Sequence, residues 1–414
     1  MVKLNFDVKR HILKNGLEVI TINKNTQIAS INIGIKVGAL HESMNEKGIS
    51  HFIEHALFKG TKTRNDEELN EQLEALGGEY NAYTDYDATV YTISCLAEEF
   101  KNAVDLLGDM IINPKFDEKE IEKERGVILS EIKMSKDDIE DLSFNNVNRI
   151  AFDKSSLKYE VTGLEKNVSV FTKSQIKEYY KKHYTPKNAL ITMVSSLAHD
   201  EAIKLIDKHF GVWNGEKAEN VAIIKEKNKN VTEVSYKKDI EQSTIVYLYT
   251  FYDIDKDDEL PLRILNHRLG ESSNSLLFRE VREKRGLAYD IYTHLEITNN
   301  IKTLYIYTAV GEENIEEAKQ VIDETLNNVV EGKILIGERD LEVMKKVHKT
   351  AVISTLEDSS ELCNYMLHQA IEDEDIYEFL KDMDRLNTLN VDKINKISRK
   401  VLKDPTIHIL KAGN

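Results

Sequence analysis

Residues 48–55, Gly48-Ile49-Ser50-His51-Phe52-Ile53-Glu54-His55, decide how the rest of this 414-residue chain is read. On a helix, residues four apart share a face, so His51 and His55 can present two imidazoles to a single metal ion. Glu54, three residues after His51, projects to the same side and can hold a water beside that metal. Two histidines leave a catalytic zinc site one protein ligand short, so a third should come from elsewhere in the chain. Zinc lowers the pKa of a bound water and polarises a carbonyl while a carboxylate takes the proton, which is the chemistry of amide hydrolysis. The same pattern also arises on a solvent-facing amphipathic helix. With 12 histidines in the chain, chance supplies it roughly a few times per hundred such sequences, so the surrounding residues have to separate the two readings.

Outward from the motif, Ile31, Ile33, Ile35 and Val37 alternate as in a half-buried strand. Residues 65–78 read as a helix, capped by Asn65 or Asp66, striped by Leu69, Leu73 and Leu76, and ended by Gly77-Gly78. Residues 79–96 (EYNAYTDYDATVYTISCL) read as a hairpin turning at Asp85 to Asp87. A helix from Lys101 to Ile112 is stopped by Asn113-Pro114. Asp117, with Glu120 three residues later, opens a long helix to about residue 138. On it Glu124, Ile128 and Glu131 face one way. Either glutamate, taken alone, also suits a solvated acidic helix face.

A second half repeats the first, with strands at 244–251 and 303–310 and helices at 315–330 and 339–356. Glu98-Glu99 matches Glu312-Glu313, and Glu124-Arg125 matches Glu338-Arg339, both at an offset of 214. At that offset His51, Glu54, His55 and Glu131 fall on Leu265, Arg268, Leu269 and Lys345. An offset of 210 puts the motif on Pro261, Ile264 and Leu265 instead. Neither shift preserves a metal set, so one set per chain is expected. The expected fold is α+β: two similar α/β-sandwich halves, each a mixed sheet with helices packed on it. Residues 1–215 carry the metal and 233–414 do not, with a polar linker at 216–232.

The chain has 56 basic and 72 acidic residues, and the resulting net charge of −16 disfavours nucleic acid and anionic lipid as partners. At 41% hydrophobic residues there is ample material for large cores. Apolar stretches such as Ala189 to Val194 fall far short of the roughly 18 residues of a membrane span. Residues 1–16 are charged from residue 3 onward and lack the apolar core of a signal peptide. Cys95 and Cys363 are the only cysteines, which excludes a disulfide framework and suits a reducing, cytoplasmic compartment. Cys95 reads as a buried thiol. His183, His267, His294, His348, His368 and His408 show no ligand spacing and read as structural or exposed.

Further stretches lie around the motif in a fixed order: Gly38-Ala39, Phe58-Lys59-Gly60-Thr61, Gly77-Gly78, Asn81-Ala82, and Glu124-Arg125-Gly126-Val127-Ile128 with Glu131. Beyond them come Tyr184-Thr185-Pro186-Lys187-Asn188, Leu277-Phe278, Arg282-Glu283-Lys284 and Gly286-Leu287-Ala288-Tyr289. In that order, over nearly the whole chain, the sequence resembles the inverzincins of the pitrilysin and insulin-degrading-enzyme type, and among them the bacterial members similar to mitochondrial processing peptidase. The resemblance implies a zinc metalloendopeptidase with one zinc per chain, held by His51, His55 and Glu131, with Glu54 as general base and Glu124 orienting a zinc-binding histidine from behind. It implies that Asn81 and Ala82 lie on an exposed strand edge, to which peptide substrates add by main-chain hydrogen bonds. It places Arg282 at the substrate carbonyl and Tyr289 at the oxyanion.

Some relatives are single chains of about double this length, closed around a chamber. This chain resembles half of such a clam shell, which implies a homodimer, or a heterodimer with a paralogue. In it, Arg282 and Tyr289 would serve the opposite chain's zinc, and short unfolded peptides would be selected by size. Two other roles fit the same resemblance: maturation of a dedicated leader or precursor peptide, and a catalytically silent scaffold subunit. If part of the excess acid lines the chamber, basic peptides are favoured.

Overall fold

The first half builds a mixed sheet because its apolar runs are short, rich in isoleucine and valine, and broken by glycine and polar turns. In this computed structural model, which describes residues 5–218, 221–334 and 336–413, six strands form it. They are β1 (Phe6–Ile12), β2 (Glu18–Lys24), β3 (Ile28–Ile35), β4 (Glu79–Thr84), β5 (Thr89–Leu96) and β6 (Ala189–Ser195), in the order β1-β2-β6-β3-β5-β4. A second sheet holds β7 (Val231–Lys237), β8 (Ser243–Thr250), β9 (Ala288–Ile297), β10 (Lys302–Val310) and β11 (Thr406–Ala412), in the order β7-β11-β8-β10-β9. Without β1 the two orders match pair for pair. Each begins with a parallel pair, β2 with β6 and β7 with β11, and continues through three antiparallel ones. The expected repeat is therefore present in the topology. Residues 1–4, and positions 219–220 of the expected linker, lie outside the described residues.

Four helices of the first half lie where the sequence signals put them: α1 (Ile49–Leu57), α2 (Asp66–Ala75), α3 (Phe100–Ile112) and α4 (Glu118–Asp137). Helix α5 (Ile139–Ala151) and the helices Glu165–Val168, Lys173–His183 and His199–Phe210 were not expected. Asn65 rather than Asp66 caps α2: its side chain accepts from Glu68 N, and the Glu68 carboxylate accepts from Asn65 N, both at 2.9 Å. Asp117 Oδ1 accepts from Lys119 N at 3.0 Å at the start of α4. The β4–β5 hairpin turns at the expected acidic residues, where Asp85 Oδ1 accepts from the backbone of Asp87 and Ala88.

The chain folds as two compact units, and each gathers separate stretches of sequence. One comprises Met1–Lys133, Tyr159–Ala222 and Val352–Glu378; the other comprises Met134–Lys158, Ile223–Ala351 and Phe379–Asn414. In the second unit α5 packs on β7, β8 and β11, whereas in the first the helix Ser359–Ile371 packs on β3 and β6. A sheet exposed on both faces needs a covering layer on each, and here that layer comes from the other half of the sequence. Strand β3 shows the consequence. It was expected to be half buried, but from Ala29 onward every residue is buried. Gly34 has so little room that a Cβ there would lie 2.8 Å from Ile371 Cδ1.

The structure also corrects the repeat's alignment. Helix α4 and the helix Glu338–Glu357 are both 20 residues long and start 220 positions apart, as do the 13-residue α5 and Ser359–Ile371. Glu124-Arg125 therefore corresponds to Met344-Lys345, not to Glu338-Arg339, and Glu131 corresponds to Ala351. The offset of 214 holds at β5 and β10, which end at Leu96 and Val310, whereas β3 and β8 start at Ile28 and Ser243 and are displaced by one residue more. Among the described residues, no helix is long and apolar enough to cross a membrane.

Candidate metal centre

Helix α1 is amphipathic by its spacing. Phe52, Ile53, Ala56 and Leu57 go into the core of the first unit and leave His51 and His55 partly exposed on the other side. Its N-cap, Gly48, has no side chain to satisfy the first turn. Glu42 does so from six residues upstream: Oε2 accepts from Gly48 N at 2.9 Å and Oε1 from Ser50 N at 2.8 Å. Glu42 is only 4% exposed, and burial pushes its carboxyl up to about 7 despite those two bonds and nearby Lys47. Gly48 adopts φ +99°, and a Cβ there would lie 2.7 Å from Thr162 O and 2.8 Å from Gly163 Cα. A side chain would therefore displace the helix that carries the motif. Sequence reading missed Glu42 because GALHESMNEKG has no helical or strand spacing.

Helix α4 brings the second set. Ile121, Ile128 and Ile132 are buried, as is Glu124, while Glu131 stays partly accessible. The rings of His51 and His55 lie edge to face with centroids 4.6 Å apart. Their Nε2 atoms sit 3.8 and 3.6 Å from the same oxygen, Glu131 Oε2. These distances exceed hydrogen bonds. One ligand atom from each of the three residues lies within 4.8 Å of the others, and among the described residues no other group of three or more metal-binding side chains is so gathered. Two imidazole nitrogens and one carboxylate oxygen converging without bonding one another suit zinc with a position left for water. The residues present fit that ion.

The surrounding contacts set the protons. His55 Nδ1 donates to Glu124 Oε2 at 3.0 Å, and Glu124 Oε1 lies 3.0 Å from Lys59 Nζ. Burial alone would raise the Glu124 carboxyl, but the bonds from His55 and Lys59 hold it below its ordinary value. An ionised carboxylate only accepts, so Nδ1 carries a proton and Nε2 is the nitrogen that faces the metal set, where it would bind a metal in its unprotonated form. Burial would lower His55, yet Glu124 and the other nearby carboxylates raise it above the ordinary histidine value. His51 is pushed down to about 4, first by burial and then by His55, so it is a neutral imidazole at physiological pH. Its Nδ1 is buried, with no hydrogen-bond partner among the described residues.

Glu54 is 9% exposed. Burial raises its carboxyl, and Thr84, donating from Oγ1 to Glu54 Oε2 at 2.6 Å, pulls in the opposite direction. The carboxylate lies close enough to His55 and Glu131 to feel both charges. His51, Glu54, His55, Glu124 and Glu131 are thus together in one unit. Asn81 and Ala82 lie on β4, the last strand of its sheet among the described residues, which pair it on one side only, with Thr92 and Tyr91 of β5. Arg282 and Tyr289 belong to the second unit. There the Arg282 guanidinium lies 4.8 Å over the Tyr289 ring and 4.6 Å over the Phe278 ring, and Tyr289 is 78% exposed. Cys95 and Cys363 are buried free thiols, with burial pushing them up to about 11 and about 12.

A two-histidine, one-glutamate set on two helices, with a second carboxylate, Glu54, beside it and a fold of repeated halves, is the arrangement expected of an inverted-motif zinc peptidase. The comparisons with known proteins agree. The model described as Insulinase (Peptidase family M16) matches residues 18–164, and that of the Peptidase M16 inactive domain matches residues 171–347. The chain is 30% identical over 404 residues to the uncharacterized zinc protease YmxG of Bacillus subtilis, covering 96% of each. A solved protease from Helicobacter pylori, 23% identical, shares the fold with a TM-score of 0.90 over 98% of this chain and 100% of that one. A peptidase M16 inactive domain from Pseudomonas fluorescens, 16% identical, does so at 0.89 over 98% of each. This chain belongs to peptidase family M16, the insulinase family.

Proposed function

We propose that this chain is a zinc-dependent endopeptidase, with one zinc per chain held by His51, His55 and Glu131. The observation that carries the reading is the buried Glu54 carboxylate beside that three-donor set. The inactive-domain model falls on the half of the chain without the set. When bound, zinc would polarise the scissile carbonyl and acidify the attacking water. Glu54 takes the proton from that water and returns it to the departing amine; its raised carboxyl makes it a stronger base than an exposed glutamate. Glu124 keeps the His55 proton on Nδ1. The open edge of β4 at Asn81 and Ala82 receives an extended peptide through main-chain hydrogen bonds, so sequence preference is loose.

The same proposal extends to assembly. Two copies of the chain enclose a chamber, and Arg282 and Tyr289 of each act at the zinc of the other. The guanidinium holds the substrate carbonyl and the phenol donates to the oxyanion. Short unfolded peptides are admitted by size. The two buried free thiols suit a reducing, cytoplasmic setting. The test is hydrolysis of a quenched fluorescent peptide before chelation, after it, and after zinc is restored. The expected result is loss followed by recovery, and hydrolysis indifferent to the chelator would contradict the proposal.

A further inference from the structure

Thr84 is the last residue of β4 and lies two residues beyond Ala82, on the same face of the strand. Its hydroxyl donates to Glu54 Oε2 at 2.6 Å, and its backbone N–H also favours the ionised form of that carboxylate. Tyr83, one residue earlier, faces the opposite way. Its hydroxyl donates to Asn364 Oδ1 at 2.9 Å and lies 2.7 Å from His368 Nε2, with the tyrosine and histidine rings stacked at 6.1 Å and 14°. Asn364 and His368 sit on the helix Ser359–Ile371, which packs on β3 and β6. The end of β4 is thus fastened on both faces, to a packed helix on one and to Glu54 on the other. Along its length the strand keeps one edge that no strand pairs among the described residues.

A carboxylate with both oxygens free can rotate about its terminal bond and offer either to a water. Engaging Oε2 fixes the plane of the group and leaves Oε1 as the basic atom. We propose that Thr84 is a positioning residue for the general base, holding Glu54 Oε2 so that Oε1 takes the proton, and tying that orientation to the strand on which the peptide docks. The assignment rests on the peptidase reading. In the step concerned, a water O–H bond breaks and its proton moves to Glu54 Oε1 while the water oxygen bonds to the substrate carbonyl carbon. The C–N bond then breaks, and the amine leaves with that proton.

Thr84→Val keeps the size and the strand propensity but removes the hydroxyl; Thr84→Ser keeps the hydroxyl. In zinc-loaded protein, Thr84→Val is expected to lower kcat by roughly tenfold to a hundredfold with KM nearly unchanged. Thr84→Ser should remain within about threefold of wild type. Zinc content after dialysis against a chelator should be the same in all three proteins, because no metal ligand is touched. Three results would overturn the assignment: normal turnover in Thr84→Val, an equal loss in Thr84→Ser, or a loss that follows zinc content. Normal Thr84→Val turnover alongside a crippled Glu54→Gln sinks this assignment alone. Wild-type turnover that ignores Glu54→Gln sinks the peptidase reading and this assignment with it.

Discussion

His55 Nδ1 and Glu124 Oε2 lie 3.0 Å apart, and the other oxygen of that carboxylate is equally close to Lys59 Nζ. One buried glutamate therefore fixes the tautomer of a histidine whose opposite nitrogen faces the metal set. Such a contact orients the ring and raises its basicity as a ligand. Glu124→Gln removes the charge that favours the proton on Nδ1 and leaves Lys59 without its anion. Zinc affinity, measured by competition with a chelator, is expected to fall roughly tenfold to a hundredfold. Unchanged affinity would mean that Glu124 does not act on the site.

Gly163 faces Gly48 where α1 begins. At φ +90°, a Cβ on Gly163 would lie 2.2 Å from Gly48 Cα and 2.5 Å from Lys47 O, both backbone atoms that cannot move aside as a side-chain tip can. Gly163→Ala is expected to destabilise the protein by roughly 2–4 kcal/mol in denaturant unfolding, from strain and from displacement of α1. A change below about 0.5 kcal/mol would refute the close approach.

Glu42 supplies a pH dependence. Its folded value of about 7 lies above the ordinary 4.5, so the folded protein holds this proton more tightly than the unfolded chain does. The stability it contributes is complete below 4.5 and is lost as pH rises through 7. Glu42→Gln cannot titrate there. In metal-free protein, the stability of wild type relative to Glu42→Gln should therefore fall by about 2–3 kcal/mol between pH 5 and pH 8. A constant difference, or one that grows with pH, would show that the carboxyl is not raised.

The residues of this site that share a helix were readable from spacing, but that the second helix meets the first rested on the family resemblance. His51, Glu54 and His55 share α1, and Glu124 and Glu131 share α4 seven residues apart. The α2 cap and the β4–β5 turn were equally local. The residues that escaped reading act across the fold. Glu42 caps α1 from a loop without periodicity, and Thr84 is one of several threonines in EYNAYTDYDATVYTISCL. The helix covering the second face of β3 arrives from residue 359, and no local pattern says which sheet a helix will cover. The repeat was visible, but its six-residue change of offset before α4 was hidden, because strand-then-helix units look alike at neighbouring shifts.

The assembly proposal can be read from mixed mutants. Arg282→Ala and Glu54→Gln should each be nearly inactive alone. Mixed under exchange conditions, they should recover about a quarter of wild-type activity, because half the dimers are mixed and each of those has one intact site of two. No recovery, or an active monomer on gel filtration, would contradict the shared site.

The most direct measurement is turnover of a quenched fluorescent peptide by Glu54→Gln, with the zinc content of the same samples determined. The expected result is one zinc per chain, as in wild type, with turnover reduced by roughly a hundredfold to ten-thousandfold. Turnover equal to wild type would contradict the role given to Glu54, and a chain that binds no zinc would contradict the metal centre.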